Sequence, residues 1–168
     1  MGRLAEVIAF ERAVDEGAHV EQVKVDPGGD AITSADHVAA AGDDAPPLPG
    51  DYAQLVDSVG AGGEAAVGYN DPRNPGKAKP GEKRIYARSS DGAEVAEIWL
   101  KGSGSITVEN GAGSWTLADD GTVTINGVTI DPSGNITAPG EVTAKSSVKL
   151  STHMHPTAMG PSGAPTPG

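Results

Sequence analysis

Residues 98–130 read IWLKGSGSITVENGAGSWTLADDGTVTINGVTI, and the spacing of their apolar residues decides the fold. These residues come in pairs two apart: Ile98/Leu100, Ile106/Val108, Trp115/Leu117, Val123/Ile125 and Val128/Ile130. Successive side chains of an extended chain point to opposite faces, so both members of a pair face the same way. Between the pairs lie KGSG at 101–104, ENGAG at 109–113, ADDG at 118–121 and Asn126-Gly127, all turn formers. Further on come DPSG at 131–134, Ile136, APG at 138–140, Val142 and the pair Val148/Leu150.

Strands this short and this one-sided cannot cover their own apolar face, so a stacked, repetitive β structure is expected, either a β-helix or an intertwined β-prism. Asn110-Gly111 and Asn126-Gly127 also fit the hairpin turns of a meander, but a lone meander leaves a long, thin sheet with one apolar face in water. Three copies wrapped around one axis would bury that face in a shared core and remove free sheet edges. The expected core of such a trimer is Ile98, Leu100, Ile106, Val108, Trp115, Leu117, Val123, Ile125, Val128, Ile130, Ile136, Val142, Val148 and Leu150.

Upstream the pattern differs. Strands are expected at 4–14, 19–26, 31–38, 52–59 and 64–69, separated by DPGG at 26–29, GDDAPPLPG at 42–50 and GAGG at 60–63. The first two runs suit a hairpin, and five short strands in some seventy residues fit a small antiparallel barrel such as an OB-fold. DPRNPGKAKPG at 71–81 reads as an extended connection, because its prolines fix φ and remove donors. The expected organisation is a barrel at 1–75, a connector with the start of the second structure at 76–97, a β shaft at 98–150 and an apex at 151–168.

Composition supports burial between chains. Six Leu, eight Ile, fifteen Val and one Phe make only 30 of 168 residues apolar and bulky, with a net charge of -11, values usual for chains without a packed core. Yet Val and Ile dominate that set, and 24 Gly and 13 Pro fall at turn-like positions, which is the composition of many short strands. Residues 1–81 carry six Lys/Arg against fourteen Asp/Glu, and residues 82–168 carry six against nine, so neither half offers a basic patch and nucleic-acid binding is not expected. No apolar run approaches the roughly 18 residues of a membrane helix, and the first residues lack a secretion signal's apolar core, so synthesis in a cytoplasm is expected. With no cysteine, any metal must rely on His or carboxylates.

The sequence THMHP at 152–156 places His153 and His155 one residue apart, on one face of an extended chain, with Met154 opposite. Two ligands cannot close a metal site, but three chains meeting on an axis would supply six nitrogens, a set suited to an octahedral transition-metal ion. His19 and His37 have no spaced partner and are expected at a surface or interface. Asp119, Asp120 and Asp131 lie beside turn glycines and read as turn formers rather than ligands.

The small N-terminal barrel, the segment GEKRIYAR at 81–88, the Gly/Asn-punctuated β repeat and the terminal THMHP together resemble the baseplate assembly protein V family, the central spike of contractile-tailed phages. The resemblance covers nearly the whole chain. It implies a homotrimer with an N-terminal OB-fold domain and a tapering β-helix, with an iron ion at the apex held by His153 and His155 of each chain. Met154 stands where a small polar residue is often found. Nickel or zinc also suits such nitrogen ligands. The implied role is that of a virion protein of the tail baseplate, attached beneath the tail tube's hub and driven through the host outer membrane. The rival reading is a carbohydrate-active or receptor-binding trimeric β-solenoid, with Asp119, Asp120 and Asp131 as its clustered acids. Catalysis is not expected: the chain has no Gly-x-Ser-x-Gly, no His-Glu-x-x-His and no phosphate loop.

Overall fold

The structure, a computed structural model, describes residues 2–15, 18–29, 31–57, 63–144, 148–152, 154, 156–161 and 163. All regular structure among them is β. The chain divides into two compact units, one of residues 1–77 with 88–94, the other of residues 78–87 with 95–168.

The first unit is a closed OB-like barrel of β1 (Arg3–Asp15), β2 (Ala18–Asp26), β3 (Thr33–His37), β4 (Tyr52–Asp57) and β5 (Glu64–Asn70), in the order β1-β2-β3-β5-β4. All neighbours pair antiparallel except β3 and β5, which pair parallel over two residues. The expected hairpin of the first two strands is present, with a register shift between Val7 and Ala9 that bends β1 around the barrel. Inside lie Ala5, Val7, Val23, Val25, Ala35, Ala53, Leu55 and Ala66, closed at the margin by Phe10 and Tyr69. Four alanines among eight core residues keep the barrel narrow, so Leu55, Val7, Val23 and Val25 fill it. Burying each of these contributes about 2 kcal/mol.

The second unit is built on a seven-stranded antiparallel meander of β6 (Lys83–Arg88), β7 (Glu94–Leu100), β8 (Ile106–Asn110), β9 (Gly113–Leu117), β10 (Val123–Ile125), β11 (Val128–Ile130) and β12 (Ile136–Thr137), paired in chain order. Residues 88–94, which join β6 to β7, belong to the barrel unit. Two small hairpins follow, β13 (Thr143–Ala144) with β14 (Val148–Lys149), and β15 (Pro156–Thr157) with β16 (Gly160–Pro161). Within one chain the connections are hairpins. Three turns along one side repeat a single pattern: the amide of residue 101, 118 or 131 donates to the carbonyl four residues on, and the glycine at 104, 121 or 134 donates back three residues. Those glycines sit at φ 96, 87 and 87, the left-handed position that a three-residue hairpin loop requires. Asn126 (φ 46) and Gly127 (φ 87) form the two-residue turn expected of Asn-Gly.

Candidate functional site

Hairpin pairing brings the apolar pairs of residues 98–130 into two continuous rows. Ile98, Val108, Trp115, Ile125 and Val128 stand opposite one another across five strands. Leu100, Ile106, Leu117, Val123, Ile130 and Ile136 do the same across six. At about 4.8 Å per strand the longer row extends roughly 25 Å. None of these side chains is fully buried; Ile125 is 49 % exposed and Ile136 68 %. A hollow of about 440 Å³ lies against the first row, lined by Ala96, Val108, Trp115 and Ile125 and bounded by Gly113 and Asn126. At Gly113 a Cβ would lie 2.5 Å from Asn126 Oδ1, the oxygen that accepts from the Ser114 amide, so a side chain there would displace that bond. Farther along, Val142 and Leu150 are exposed, and the Leu150 amide donates to the Val142 carbonyl. The side chain of Val148 lies outside the described residues.

The opposite face is polar by the same register. Trp99, Thr107, Thr116, Thr124 and Thr129, the middle residues of the five apolar pairs, form a third row that Thr137 extends. Its start is closed by charge: Arg84 stacks over the rings of Tyr86 and Trp99, 4.7 and 5.9 Å from their centroids, and pairs with Glu97. The Trp99 indole donates to Glu82, which also accepts from the amides of Lys79 and Gly102 and is held below the usual carboxylate range by these bonds. Sequence reasoning passed over this row, although the recurrent motif apolar-Thr-apolar carries it.

His153 and His155 lie outside the described residues. Before them, Glu141 accepts from the hydroxyl and amide of Ser151, which ties residue 151 to residue 141 and holds the carboxyl below its ordinary range. After them, the hairpin of β15 and β16 turns through Ala158 and Met159, and Met159 is 98 % exposed; Met154 is exposed as well. Among the described residues no group of three or more His, Asp or Glu is placed to hold a metal ion. Asp120 and Asp131 act as turn formers. Asp120 accepts from the Thr122 amide, while Asp131 accepts from the amides of Ser133 and Asn135 and from the Asn135 side chain.

In the barrel unit the structure departs from expectation at His37. Its side chain is 4 % exposed rather than at the surface, because β3 turns it inward against Phe10 and Tyr69. Its Nδ1 lies 2.6 Å from the Tyr69 hydroxyl, whose pKa burial and the charge of Glu21 push up to about 12. The backbone of His19 is in β2, and its side chain lies outside the described residues.

A buried ionic knot was likewise not read from the sequence. Asp51, 1 % exposed, accepts from Arg73 Nη2 at 2.6 Å, from Arg88 Nη1 and Nη2 at 2.7 and 2.8 Å, and from the Leu48 amide at 2.9 Å. Burial pushes the Asp51 carboxyl up, but the bonds from Arg88, Leu48 and Arg73 outweigh it and leave it below the ordinary range. Asp71 beside it accepts from Asn74 at 2.6 Å and lies 3.1 Å from Arg88 Nη1. Burial raises this carboxyl too, and the bonds from Asn74 and Arg73 with the charge of Arg88 bring it down to about 2. The two carboxylates and two guanidiniums balance, and with the Asn74 side chain donating to the Gly92 carbonyl they tie residues 71–74 to 88–92.

No family model matches the chain, and no curated protein sequence matches it.

Proposed function

We propose that the protein is the central baseplate spike of a contractile phage tail, a structural homotrimer that pierces the host outer membrane and catalyses no reaction. The observation that carries this reading is the pair of apolar rows on one sheet face, in register over five and six strands and in water in the single chain. Contiguous apolar surface of this kind marks an interface. Three such faces turned toward one axis make a closed core, with the threonine rows outward and wet.

In this assembly the barrel attaches to the hub at the end of the tail tube, and the meander with the hairpins beyond it forms the shaft and tip. His153 and His155 of three chains supply six imidazole nitrogens to one iron ion, which cross-links three chain ends that would otherwise fray. A sequence of net charge -11 with no apolar run long enough to span a membrane has little drive of its own to enter lipid, so sheath contraction supplies the force. The particle's tail is therefore its place of action, and no nucleic acid is bound.

The test is the solution mass together with the metal content, for the intact chain and for a His153→Ala/His155→Ala double variant. A trimer holding about one metal per three chains, lost in the variant, is expected. A metal-free monomer sinks the reading.

A further inference from the structure

We propose that a groove on the outer wall of the barrel is a docking site for a basic segment of another protein, presenting an arginine or lysine beside an apolar side chain. The groove, about 360 Å³, is lined by Leu4, Ala5, Glu6, Asp26, Gly28 and Tyr52. Its defining feature is a mismatch. Glu6 stands directly opposite Asp26 on β2 and opposite Tyr52 on β4, so two carboxylates face each other across the β1–β2 ladder. Like charges in that position destabilise a sheet.

Elsewhere in the barrel Glu64 pairs with Arg3 at 2.6 Å, Glu11 with Lys24 at 2.5 Å and Glu21 with Arg12 at 2.7 Å. Among the described residues Glu6 and Asp26 have no cationic partner; Asp26 accepts only the Gly28 amide. Beside them Leu4 is 61 % and Tyr52 42 % exposed, so the groove joins an unneutralised acidic pair to apolar walls. A guanidinium or ammonium would end the repulsion at Glu6 and Asp26, while its aliphatic stem lay along Leu4 and the Tyr52 ring. Asp26, Pro27 and Gly28 of the turn line one part of the groove. An anionic partner meets two carboxylates there, and a purely apolar one leaves them unpaired, so charge complementarity selects a basic segment. The inference deepens the hub attachment proposed above and rests on that reading for the partner's place, since it gives the hub's contact surface its chemistry.

The experiment is calorimetric titration of the full chain with the peptide acetyl-Gly-Leu-Arg-Leu-Gly-amide and its counterpart with glutamate in place of arginine, at low and at high salt. The arginine peptide is expected to bind, more weakly at high salt, and the glutamate peptide not to bind. In a Glu6→Gln/Asp26→Asn variant the affinity should fall about tenfold, while the melting temperature of the free protein stays level or rises. Equal affinity for both peptides, affinity unchanged in the variant, or no binding because a second copy covers the groove overturns the proposal, as does a variant that melts lower. Solution mass separates the two readings. A monomer that binds the arginine peptide keeps the groove and sinks the spike, whereas a trimer that does not bind keeps the spike and sinks the groove.

Discussion

The barrel and the meander are both built from valine, isoleucine and alternating strands, yet they bury their apolar residues differently. In the barrel Val23 and Val25 are wholly inside, because five strands close on themselves and every inward side chain meets another. In the meander Val123 and Ile125 have the same spacing and the same register discipline, and among the described residues 95–163 none is fully buried. Alternation sorts side chains to a face, and only closure or a partner removes that face from water. The barrel carries its own core, and the meander leaves its apolar rows exposed in the single chain.

The largest expected effect follows from placing a charge in those rows. Ile125→Asp would bury three unpaired carboxylates at the axis of the proposed trimer, and the assembly should fall to monomers by sedimentation. Leu55→Ala in the barrel should instead lower stability by about 2 to 5 kcal/mol with the mass unchanged. The comparison fails if Ile125→Asp keeps the parent's mass.

Next in size is Arg88→Ala. It leaves Asp51 with one guanidinium in place of two, and chemical denaturation should show a loss of about 3 to 5 kcal/mol. The same knot dictates a pH dependence. Asp51 and Asp71 are held lower in the folded chain than in the unfolded one, so their stabilisation is full above the ordinary carboxylate range. It is lost as the pH falls from about 4 toward 2. Melting curves over that interval should drop less steeply in Asp71→Asn, and an identical acid profile would remove the knot as the cause.

The smallest effect distinguishes the two faces of one strand. Thr124→Val on the outward row should change stability by no more than about 0.5 kcal/mol and leave the mass alone, while Thr at neighbouring Ile125 should weaken assembly in a concentration-dependent manner. Equal responses at 124 and 125 would mean that the rows do not define an inside and an outside.

Much of the fold was legible because strand spacing and turn chemistry are local. The five barrel strands and the turns at 101–104, 118–121, Asn126-Gly127 and 131–134 all lie where the sequence places them. Asp120 and Asp131 read correctly for the same reason: an Asx carboxylate finds its amide partners within four residues. His37 did not, because its burial depends on Phe10 and Tyr69, 27 and 32 positions away along the chain. The Asp51 knot was hidden for that reason too, since Arg73 and Arg88 reach Asp51 from 22 and 37 residues away. Of the candidate metal site, His153 and His155 stand in the sequence alone.

By itself, then, the sequence determined which segments are strands, where they turn and which side chains share a face, because backbone alternation and glycine or asparagine turns act over a few residues. Tertiary structure decided how the expected barrel closes, through the parallel pairing of β3 with β5, and that the other set of strands lies open, and it decided which charges meet. Closure and ion pairing join residues tens of positions apart, and their energies depend on burial, a quantity that no local pattern contains.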